Sequence, residues 1–337
     1  MASFVRQYVI SINYYDGGVD QSKLSSREQH YALKQMPTLS EYICYNFFYG
    51  SILVGPFLEF RTFDDWLNLR GQFKDMPAFG QLPAFAKRFV VTVITIVTAA
   101  VLGSYFSLDY ALTPVFARQG FFYKAGYVVV LIQLFWETYF SGFCCMDCVI
   151  IASGVCYQPK TEKTPETYFA IRNIDIIGCD TAINIPTLMS SWNIQIHNWI
   201  KYYIMLRWID KSKPRHVMQP FPIFVSFFMS LVWHGIWSGY AITFLGTAVL
   251  DIIWKNLQKK AVVEMIYENV PRPIYLAVWF PVFRFLISFL TLTFHYQFFD
   301  RYEHLFSAFS YSPFAIYALC LLAMFILPNK RTPRPDK

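Results

Sequence analysis

The sequence predicts an all-α, polytopic integral membrane protein. Of its 337 residues, 55% are hydrophobic and 20% are aromatic, whereas only 15% are charged. Soluble domains carry roughly 25% charged residues, and Trp and Tyr favour the membrane–water interface. A soluble protein with an unusually apolar core is the alternative. We favour the membrane, because several apolar runs approach or exceed the roughly 20 residues that a helix needs to cross a bilayer.

We expect about seven membrane segments in a single domain that covers residues 1–337. The apolar runs that predict these segments are 42–58, 89–107, 125–155, 221–236, 238–254, 273–297 and 311–328. The third run is too long for one upright helix, so it predicts a tilted helix or a helix with a re-entrant piece. The fourth and fifth runs predict either a tight helical pair or one long helix broken near Gly235 and Gly239.

The chain has a net charge of +7, and the distribution of its Lys and Arg residues indicates how these segments are oriented in the membrane. Lys and Arg are frequent in the gaps 59–88, 156–220 and 255–272 and in the tail after 328, and scarce in the gaps between them. This alternation predicts that the basic gaps and the C-terminus face the cytosol, where they contact membrane lipids. There is no basic cluster with interleaved aromatic residues, so we expect no nucleic-acid partner.

The seven cysteines do not predict a metal site. Cys145 and Cys148 have the C-x-x-C spacing, but no second pair and no histidine lies near them in the sequence to complete four zinc ligands. We interpret them as small apolar residues of a helix. We therefore expect no bound metal and no resident cofactor.

His234 ends one of the apolar runs, in the sequence "SLVWHGIWSGY". It lies 13 positions after Phe221, so a helix would carry it roughly 20 Å from the cytosolic edge of the membrane. An ionisable group at that depth indicates a functional site. The alternative is a histidine that a neighbouring carbonyl satisfies at a helix end. The depth favours a buried, protein-lined chamber.

A second candidate segment precedes it, in the sequence "SSWNIQIHNWIKYYIMLRW". Apolar residues recur there at helical steps of four, four, three and four, which predicts one amphipathic helix at the interface; they are Leu188, Trp192, Ile196, Trp199 and Tyr203. Asn193 and His197 are four positions apart and so share a face of that helix. An ordinary amphipathic connector is the alternative.

Together these two stretches resemble the signature of the membrane-bound O-acyltransferase family. In that family a Trp-Asn or Phe-Asn pair precedes a W-H-G histidine by some dozens of residues, and here Asn193 precedes His234 by 41 positions. The N-terminal blocks "YYDGG", "LSS", "QHYA" and "YGSILVGP" are similar to those of the lysophosphatidylcholine acyltransferase branch. Members usually have further helices before the D-G-G block, so a chain lacking N-terminal membrane helices is one expectation.

The resemblance implies transfer of a fatty acyl group from acyl-CoA to the hydroxyl of a lysophospholipid, in phospholipid remodelling at the endoplasmic-reticulum membrane. It implies that His234 is the general base and that Asn193 is an active-site residue; His197 is a competing candidate for the base. Residues of the same motifs are expected to line the substrate site: Trp192, Trp233, Ser238 and Tyr240. Acyl-CoA is then a co-substrate, while the sequence leaves the oligomeric state open.

Basic residues after the Asn193 segment are candidates for contacts with the CoA phosphates at the mouth of a tunnel. They are Lys201, Arg207, Lys211, Lys213 and Arg215, and a positive loop facing the cytosol explains each of them equally well. Three charges lie within apolar runs and are expected either to pair with one another or to face a water-filled tunnel: Glu137, Asp147 and Arg284. We expect the "YYDGG" block to serve the fold and not the catalysis.

Three alternatives remain open. The acyl acceptor could be a sterol, a diacylglycerol or a protein hydroxyl. The chain could be a lipid transporter or scramblase, because a helix broken at glycines with an intramembrane histidine also fits a permeation path. It could also be a catalytically silent fragment that retains both motifs.

Overall fold

A computed structural model describes residues 2–51, 55–162, 166–209 and 220–330. This part of the chain is helical, and its one β contact is an isolated bridge between Lys260 and Asn329. The helices are α1 (Ala2–Gly17), α2 (Ser26–Tyr31), α3 (Leu39–Asn46), α4 (Phe60–Leu67), α5 (Leu82–Gly103), α6 (Pro114–Ala117), α7 (Phe121–Ser153), α8 (Ile176–Asp180), α9 (Ile185–Ser191), α10 (Ile194–Trp199), α11 (Leu206–Trp208), α12 (Pro220–His234), α13 (Ser238–Leu257), α14 (Ala261–Asn269), α15 (Arg272–Tyr296), α16 (Phe299–Ala308) and α17 (Ser312–Ile326). The prediction of an all-α chain is confirmed.

Residues Ile200–Met205, between α10 and α11, form a π-helix. Single 3₁₀ turns occur at Gln21–Lys23, Gly71–Phe73 and Tyr110–Leu112. A π-helix is rare and is frequently found at functional sites, and this one directly follows the helix that begins after Asn193.

The chain divides into two compact units, although we expected one domain. The first unit comprises Met1–Thr98, Glu137–Ile177 and Met189–Arg207, and the second comprises Ala99–Trp136, Gly178–Leu188 and Trp208–Lys337. The prediction of one acyltransferase domain over the whole chain therefore stays a prediction.

Aromatic residues from the N-terminal helices and from the end of α7 form the core of the first unit. Tyr45, Phe60 and Phe63 pack with ring centroids 5.4–5.5 Å apart, in edge-on and tilted geometries. Ile150 and Ile151 of α7 belong to the same buried cluster. Capping boxes define the starts of α2 and α3, because Ser25 pairs with Glu28 and Thr38 with Glu41 at these positions.

Helix α13 packs against both α12 and α15 in the second unit. Residues 235–237 separate α12 from α13, and the two helices pack against each other, as expected for the tight pair and not for one long broken helix. Phe289 of α15 is fully buried and packs against Phe306 and Phe309 at 5.4 Å and 5.5 Å between ring centroids.

Three helices in the described residues are long and apolar enough to cross a membrane: Leu82–Gly103, Phe121–Ser153 and Arg272–Tyr296. The bent pair Phe299–Ala308 and Ser312–Ile326, with an angle of 81°, raises the number to four if it counts as one span. We expected about seven. Of the other expected segments, α12 is shorter, and α13 carries Thr243, Thr247 and Asp251 among its buried residues.

The run 125–155 is a continuous helix, since α7 extends without a break over 33 residues. The expectation of a helical segment at 42–58 is wrong. Helix α3 ends at Asn46, and the described residues from Phe47 to Glu59 are not helical. The backbones of Gly50 and Gly55 come close together here, since a Cβ at Gly55 would lie 2.2 Å from the carbonyl oxygen of Gly50, and a regular helix does not bring residues five apart into such contact.

A close backbone contact joins α13 to α15 at Gly239. Its N–H donates to the carbonyl of Gln297 over 2.9 Å, and its carbonyl accepts from the hydroxyl of Thr293 over 3.0 Å. The hydroxyl of Thr243 donates to the same carbonyl at 3.0 Å. A Cβ at Gly239 would lie 2.1 Å from the carbonyl oxygen of Thr293, so only glycine allows the two helices to approach this closely.

Gly239→Ala should therefore destabilise the protein. The methyl group forces α13 away from α15, which costs at least about 1–3 kcal/mol. The measurement is the unfolding temperature of the detergent-solubilised protein. The matched control is Gly142→Ala on α7, where a Cβ meets nothing within 4 Å and alanine favours the helix. Equal unfolding temperatures for the two variants would contradict the close approach at Gly239.

Candidate active site

Asn193 occupies a break between two helices. Helix α9 ends at Ser191, and α10 begins at Ile194. Between them, Asn193 adopts the left-handed conformation, with φ 41° and ψ 54°. The prediction of one continuous amphipathic helix is therefore wrong at this point, because a residue in this conformation ends the helical path of the chain. Asparagine tolerates it better than most residues with a side chain.

The backbone on both sides of Asn193 is held by one neighbouring segment. The N–H of Asp175 donates to the carbonyl of Ser191 over 2.9 Å, and the N–H of Ile194 donates to the carbonyl of Asn173 over 2.7 Å. These bonds satisfy backbone groups that the break removes from the helical pattern. The conformation of Asn193 is thus set by the segment 173–175, which is distant in sequence.

A buried ion pair anchors that segment in turn. Asp147 accepts from the backbone N–H of Asn173 over 2.8 Å and pairs with Arg88, and both side chains are almost fully buried. Arg88 also donates to the carbonyl of Ile174 over 2.9 Å. The expectation that the three intramembrane charges pair with one another is wrong for Asp147, because its partner is Arg88 of α5.

Arg284, the second of those charges, has partners within the second unit. Its guanidinium donates to the side-chain oxygen of Gln133 and lies over the ring of Trp136, 4.5 Å from the centroid. Gln133 donates in turn to Asp180 over 3.0 Å. A desolvated guanidinium is stabilised by such contacts with an aromatic face and a carbonyl oxygen.

Trp192, a predicted substrate contact, packs on one face of α7. Its ring lies 5.7–5.9 Å from the rings of Tyr139, Phe140 and Phe143, in edge-on and tilted geometries. The side chain is half-buried. These contacts place it as packing beside the break at Asn193, and its part in binding substrate stays a prediction.

His197, the competing candidate for the base, lies one turn after Asn193 on α10. Burial, aided by the charge of Lys201, lowers the pKa of His197 to about 4. The imidazole is therefore neutral near pH 7, in the form that can accept a proton, but its environment disfavours the charged form. A neutral half-buried imidazole fits a structural role as well as a basic one.

Arg207 forms an ion pair with the D-G-G block. Its two terminal nitrogens donate to the carboxylate of Asp16 over 3.2 Å and 2.6 Å, and Glu28 lies 3.8 Å away. The side chain of Asp16 is 1% exposed. The expected structural role of the block thus has a physical basis, and the same pair gives Arg207 a structural partner where we expected a contact with substrate.

The other predicted phosphate contacts divide between the described and undescribed parts of the chain. The ammonium of Lys201 lies over the ring of Tyr202, 5.3 Å from the centroid. Lys211, Lys213 and Arg215 lie outside the described residues, so their role stays a prediction.

Glu59 is a buried residue that the sequence analysis missed. Its carboxylate accepts from the hydroxyl of Tyr203 over 2.7 Å and pairs with Arg27 over 2.8 Å. Burial raises the pKa of Glu59, and the charge of Arg27 opposes that change. Tyr203 lies in the π-helix, so the network fixes the segment that follows Asn193. An isolated Glu next to an apolar run could have signalled it.

His234 is the last residue of α12, as the apolar run predicts. Its ring stacks on Phe244 at 5.0 Å and meets Phe294 edge-on at 5.2 Å, with Tyr240 at 6.1 Å. The predicted site residues His234 and Tyr240 are thus brought together. Yet His234 is exposed, so the described residues do not by themselves enclose it, and a buried chamber around it stays a prediction.

The loop after His234 turns at Gly235, where φ is 122°. Trp237 then packs on Phe298, with ring centroids 4.9 Å apart. The hydroxyl of Ser238 donates to the carbonyl of Gln297 over 3.2 Å, which gives that predicted substrate contact a structural partner. Trp233 is half-buried within α12, and its contact with substrate stays a prediction.

Asn193 belongs to the first unit, and His234 belongs to the second. Backbone hydrogen bonds within the first unit hold the helix break at Asn193. Ring contacts within the second unit surround His234 at the end of α12. That the two residues act at one reaction centre is implied by the sequence motifs and stays a prediction.

The ion pair of Asp16 and Arg207 yields a test of structural against substrate-binding roles. Arg207→Gln leaves a buried carboxylate without its partner, and we expect a loss of about 3 kcal/mol, the lower value for a buried pair. The double variant Arg207→Gln with Asp16→Asn removes both charges and should recover most of that stability. The measurements are accumulation in membranes and the unfolding temperature.

A raised KM for acyl-CoA that persists in the stable double variant would instead assign Arg207 to the binding of the nucleotide. Failure of the double variant to recover stability would contradict the structural role of the pair.

Known proteins resemble the chain over most of its length. A lysophospholipid acyltransferase of Schizosaccharomyces pombe is 28% identical over 255 residues, which cover 73% of this chain and 49% of the relative. Lysophospholipid acyltransferase 5 of Rattus norvegicus is 28% identical, with 73% and 50% covered. A lysophospholipid acyltransferase of Saccharomyces cerevisiae is 27% identical, with 78% and 44% covered. The chain thus spans about half the length of these curated relatives.

The sequence model of the membrane-bound O-acyltransferase family matches residues 2–294. The match includes both breaks described above, the one at Asn193 and the one that follows His234. On the basis of this match, the chain belongs to the membrane-bound O-acyltransferase family.

Proposed function

We propose that the protein transfers a fatty acyl group from acyl-CoA to the free hydroxyl of a lysophospholipid, with lysophosphatidylcholine as the favoured acceptor. The observation that carries this proposal is the position of His234 at the end of an apolar helix in a chain of this family. The printed names of the relatives, lysophospholipid acyltransferases from two yeasts and the rat, support the choice of acceptor.

His234 is the proposed general base. A hydroxyl is a poor nucleophile at neutral pH, and a positioned imidazole that removes its proton typically accelerates attack by about 10²–10⁴-fold. The hydroxyl oxygen forms a bond with the thioester carbon while a ring nitrogen takes the proton. The C–S bond then breaks, and the departing CoA thiolate takes that proton from the imidazolium. The acyl group passes directly from sulfur to oxygen, and no covalent acyl-enzyme is needed.

Asn193 is the proposed donor at the reacting carbonyl. Its amide N–H groups could stabilise the oxyanion of the tetrahedral intermediate, where one donor in a dry site is worth about 3 kcal/mol. They could equally hold the thioester carbonyl or orient His234. The left-handed conformation supports this proposal, because a backbone held by its neighbours fixes the direction of the Cα–Cβ bond from which the amide extends.

The donor substrate constrains access to the site. The nucleotide of acyl-CoA is highly charged and stays in the cytosol, while its pantetheine arm extends inward. Helix α12 has 15 residues, which span about 20 Å, so the arm has to reach along a path of that length. We place the reaction in the endoplasmic-reticulum membrane, where lysophospholipids are reacylated in phospholipid remodelling.

His234→Ala should lower acyl transfer at least 100-fold, the lower value for a lost general base. The measurement uses membranes that contain the protein, labelled acyl-CoA, and a panel of lysophospholipids with sterol and diacylglycerol as further acceptors. His197→Ala is the matched control, and it should retain most of the activity. Both variants are compared at equal amounts of inserted protein.

Several outcomes would contradict the proposal. An essential His197 with a dispensable His234 would invert the assignment of the base. Transfer to sterol or diacylglycerol alone would move the acceptor to another class. No transfer to any acceptor would favour a transporter or a silent fragment.

Asn193→Gly separates the amide of Asn193 from its backbone conformation. Glycine adopts positive φ readily, so the break should persist while the amide is lost, and we expect kcat to fall by about 10²–10³-fold. Asn198→Ala removes an amide from the same helix and should leave kcat within about twofold of the unaltered protein. The measurement is the kcat of each variant from steady-state kinetics at matched expression. A Gly variant with full activity would remove Asn193 from the reaction.

A further inference from the structure

The chain turns at Gln297 with a strained backbone. Gln297 follows α15 and has φ 61° and ψ −45°, and the N–H of Phe298 donates to the carbonyl of Tyr296 over 2.6 Å. These bonds and angles describe a γ-turn of the rare kind whose central residue has positive φ. A residue with a side chain is strained there, and such strain persists only where the surroundings hold it.

The polar groups of Gln297 are directed at the segment that follows His234. Its carbonyl accepts from the N–H of Gly239 over 2.9 Å and from the hydroxyl of Ser238 over 3.2 Å. Its side-chain amide donates to the hydroxyl of Tyr240 over 2.9 Å. One residue therefore holds the first three residues of α13.

Ring contacts extend from Tyr240 to His234. The ring centroids of Tyr240 and Phe294 are 4.4 Å apart, and Phe294 lies edge-on to His234 at 5.2 Å. Tyr240 itself is 9% exposed, so its ring has little freedom once its hydroxyl is held. The orientation of the exposed His234 ring depends on these neighbours.

Glycine would adopt the backbone conformation of residue 297 without strain. The carbonyl contacts with Gly239 and Ser238 would then remain, and only the amide contact with Tyr240 would be lost. The side chain of Gln297 therefore adds one specific contact to the strained turn, the hydrogen bond to Tyr240.

We propose that Gln297 is a positioning residue for His234, acting through Tyr240. Its amide fixes the hydroxyl of Tyr240, the rings of Tyr240 and Phe294 fix the imidazole, and the imidazole is thereby aimed at the hydroxyl of the acceptor. This inference rests on the proposed acyl transfer.

The experiment compares Gln297→Gly, Tyr240→Phe and the double variant in the acyl-transfer assay. We expect Gln297→Gly to lower kcat by about 10- to 100-fold, as a misdirected catalytic group does, with the KM for both substrates unchanged. The double variant should lose no more activity than Tyr240→Phe alone, because both changes remove the same hydrogen bond.

Ser310→Gly is the matched control. Ser310 also has positive φ, 48°, and lies in the turn between α16 and α17, so its variant relieves a similar backbone strain and should keep kcat. Accumulation and unfolding temperature of Gln297→Gly should equal or exceed those of the control.

Gln297→Gly with kcat within twofold of the unaltered protein would overturn the inference and leave the proposed function intact. If the two substitutions lower kcat independently, so that their effects multiply in the double variant, the inference is also overturned. A fall in kcat that accompanies a fall in unfolding temperature would indicate a structural role and would overturn it as well. An unaltered protein that transfers no acyl group would overturn the proposed function together with the inference.

Discussion

In a membrane protein, backbone N–H and C=O groups that lack a partner within their own helix need hydrogen-bond partners elsewhere in the protein. This constraint shapes the chain around both candidate residues. At Asn193, the carbonyl of Ser191 and the N–H of Ile194, which have no helical partner, are bonded to the segment 173–175. After His234, the N–H of Gly239 is bonded to Gln297. Each helix break is thus fixed by backbone from elsewhere in its own unit, and each lies beside a candidate functional residue.

Buried charges serve the same purpose one step further away. Asp147 holds the segment beside Asn193 because Arg88 neutralises it, and Asp16 holds Arg207 after the π-helix. Removing one partner of such a pair leaves an uncompensated charge, which is costly. Asp147 and Arg88 therefore position the backbone, and no contact with substrate is needed to explain them.

The two candidate residues are held by different forces. Asn193 is fixed by directional hydrogen bonds on both sides of its own backbone. His234 ends a helix among aromatic rings, where edge-on and stacked contacts contribute only about 0.5–1.5 kcal/mol each. Weak contacts would suit the base that we propose at His234, which exchanges a proton with two successive partners. A fixed backbone would suit the oxyanion donor that we propose at Asn193.

The sequence by itself determined the class of the fold, the long helices α5, α7 and α15 and the placement of His234 at the end of α12, because apolar length and helical rise are local properties of the chain. The paired motifs also determined the family. Only the tertiary structure decided that Asn193 breaks its helix, since the bonds that hold the break come from residues 173–175. It likewise decided the partners of Asp147 and Arg207, and it revealed Glu59 and Gln297. Those partners are separated by dozens to nearly two hundred positions, so no periodicity in one window of sequence can predict them.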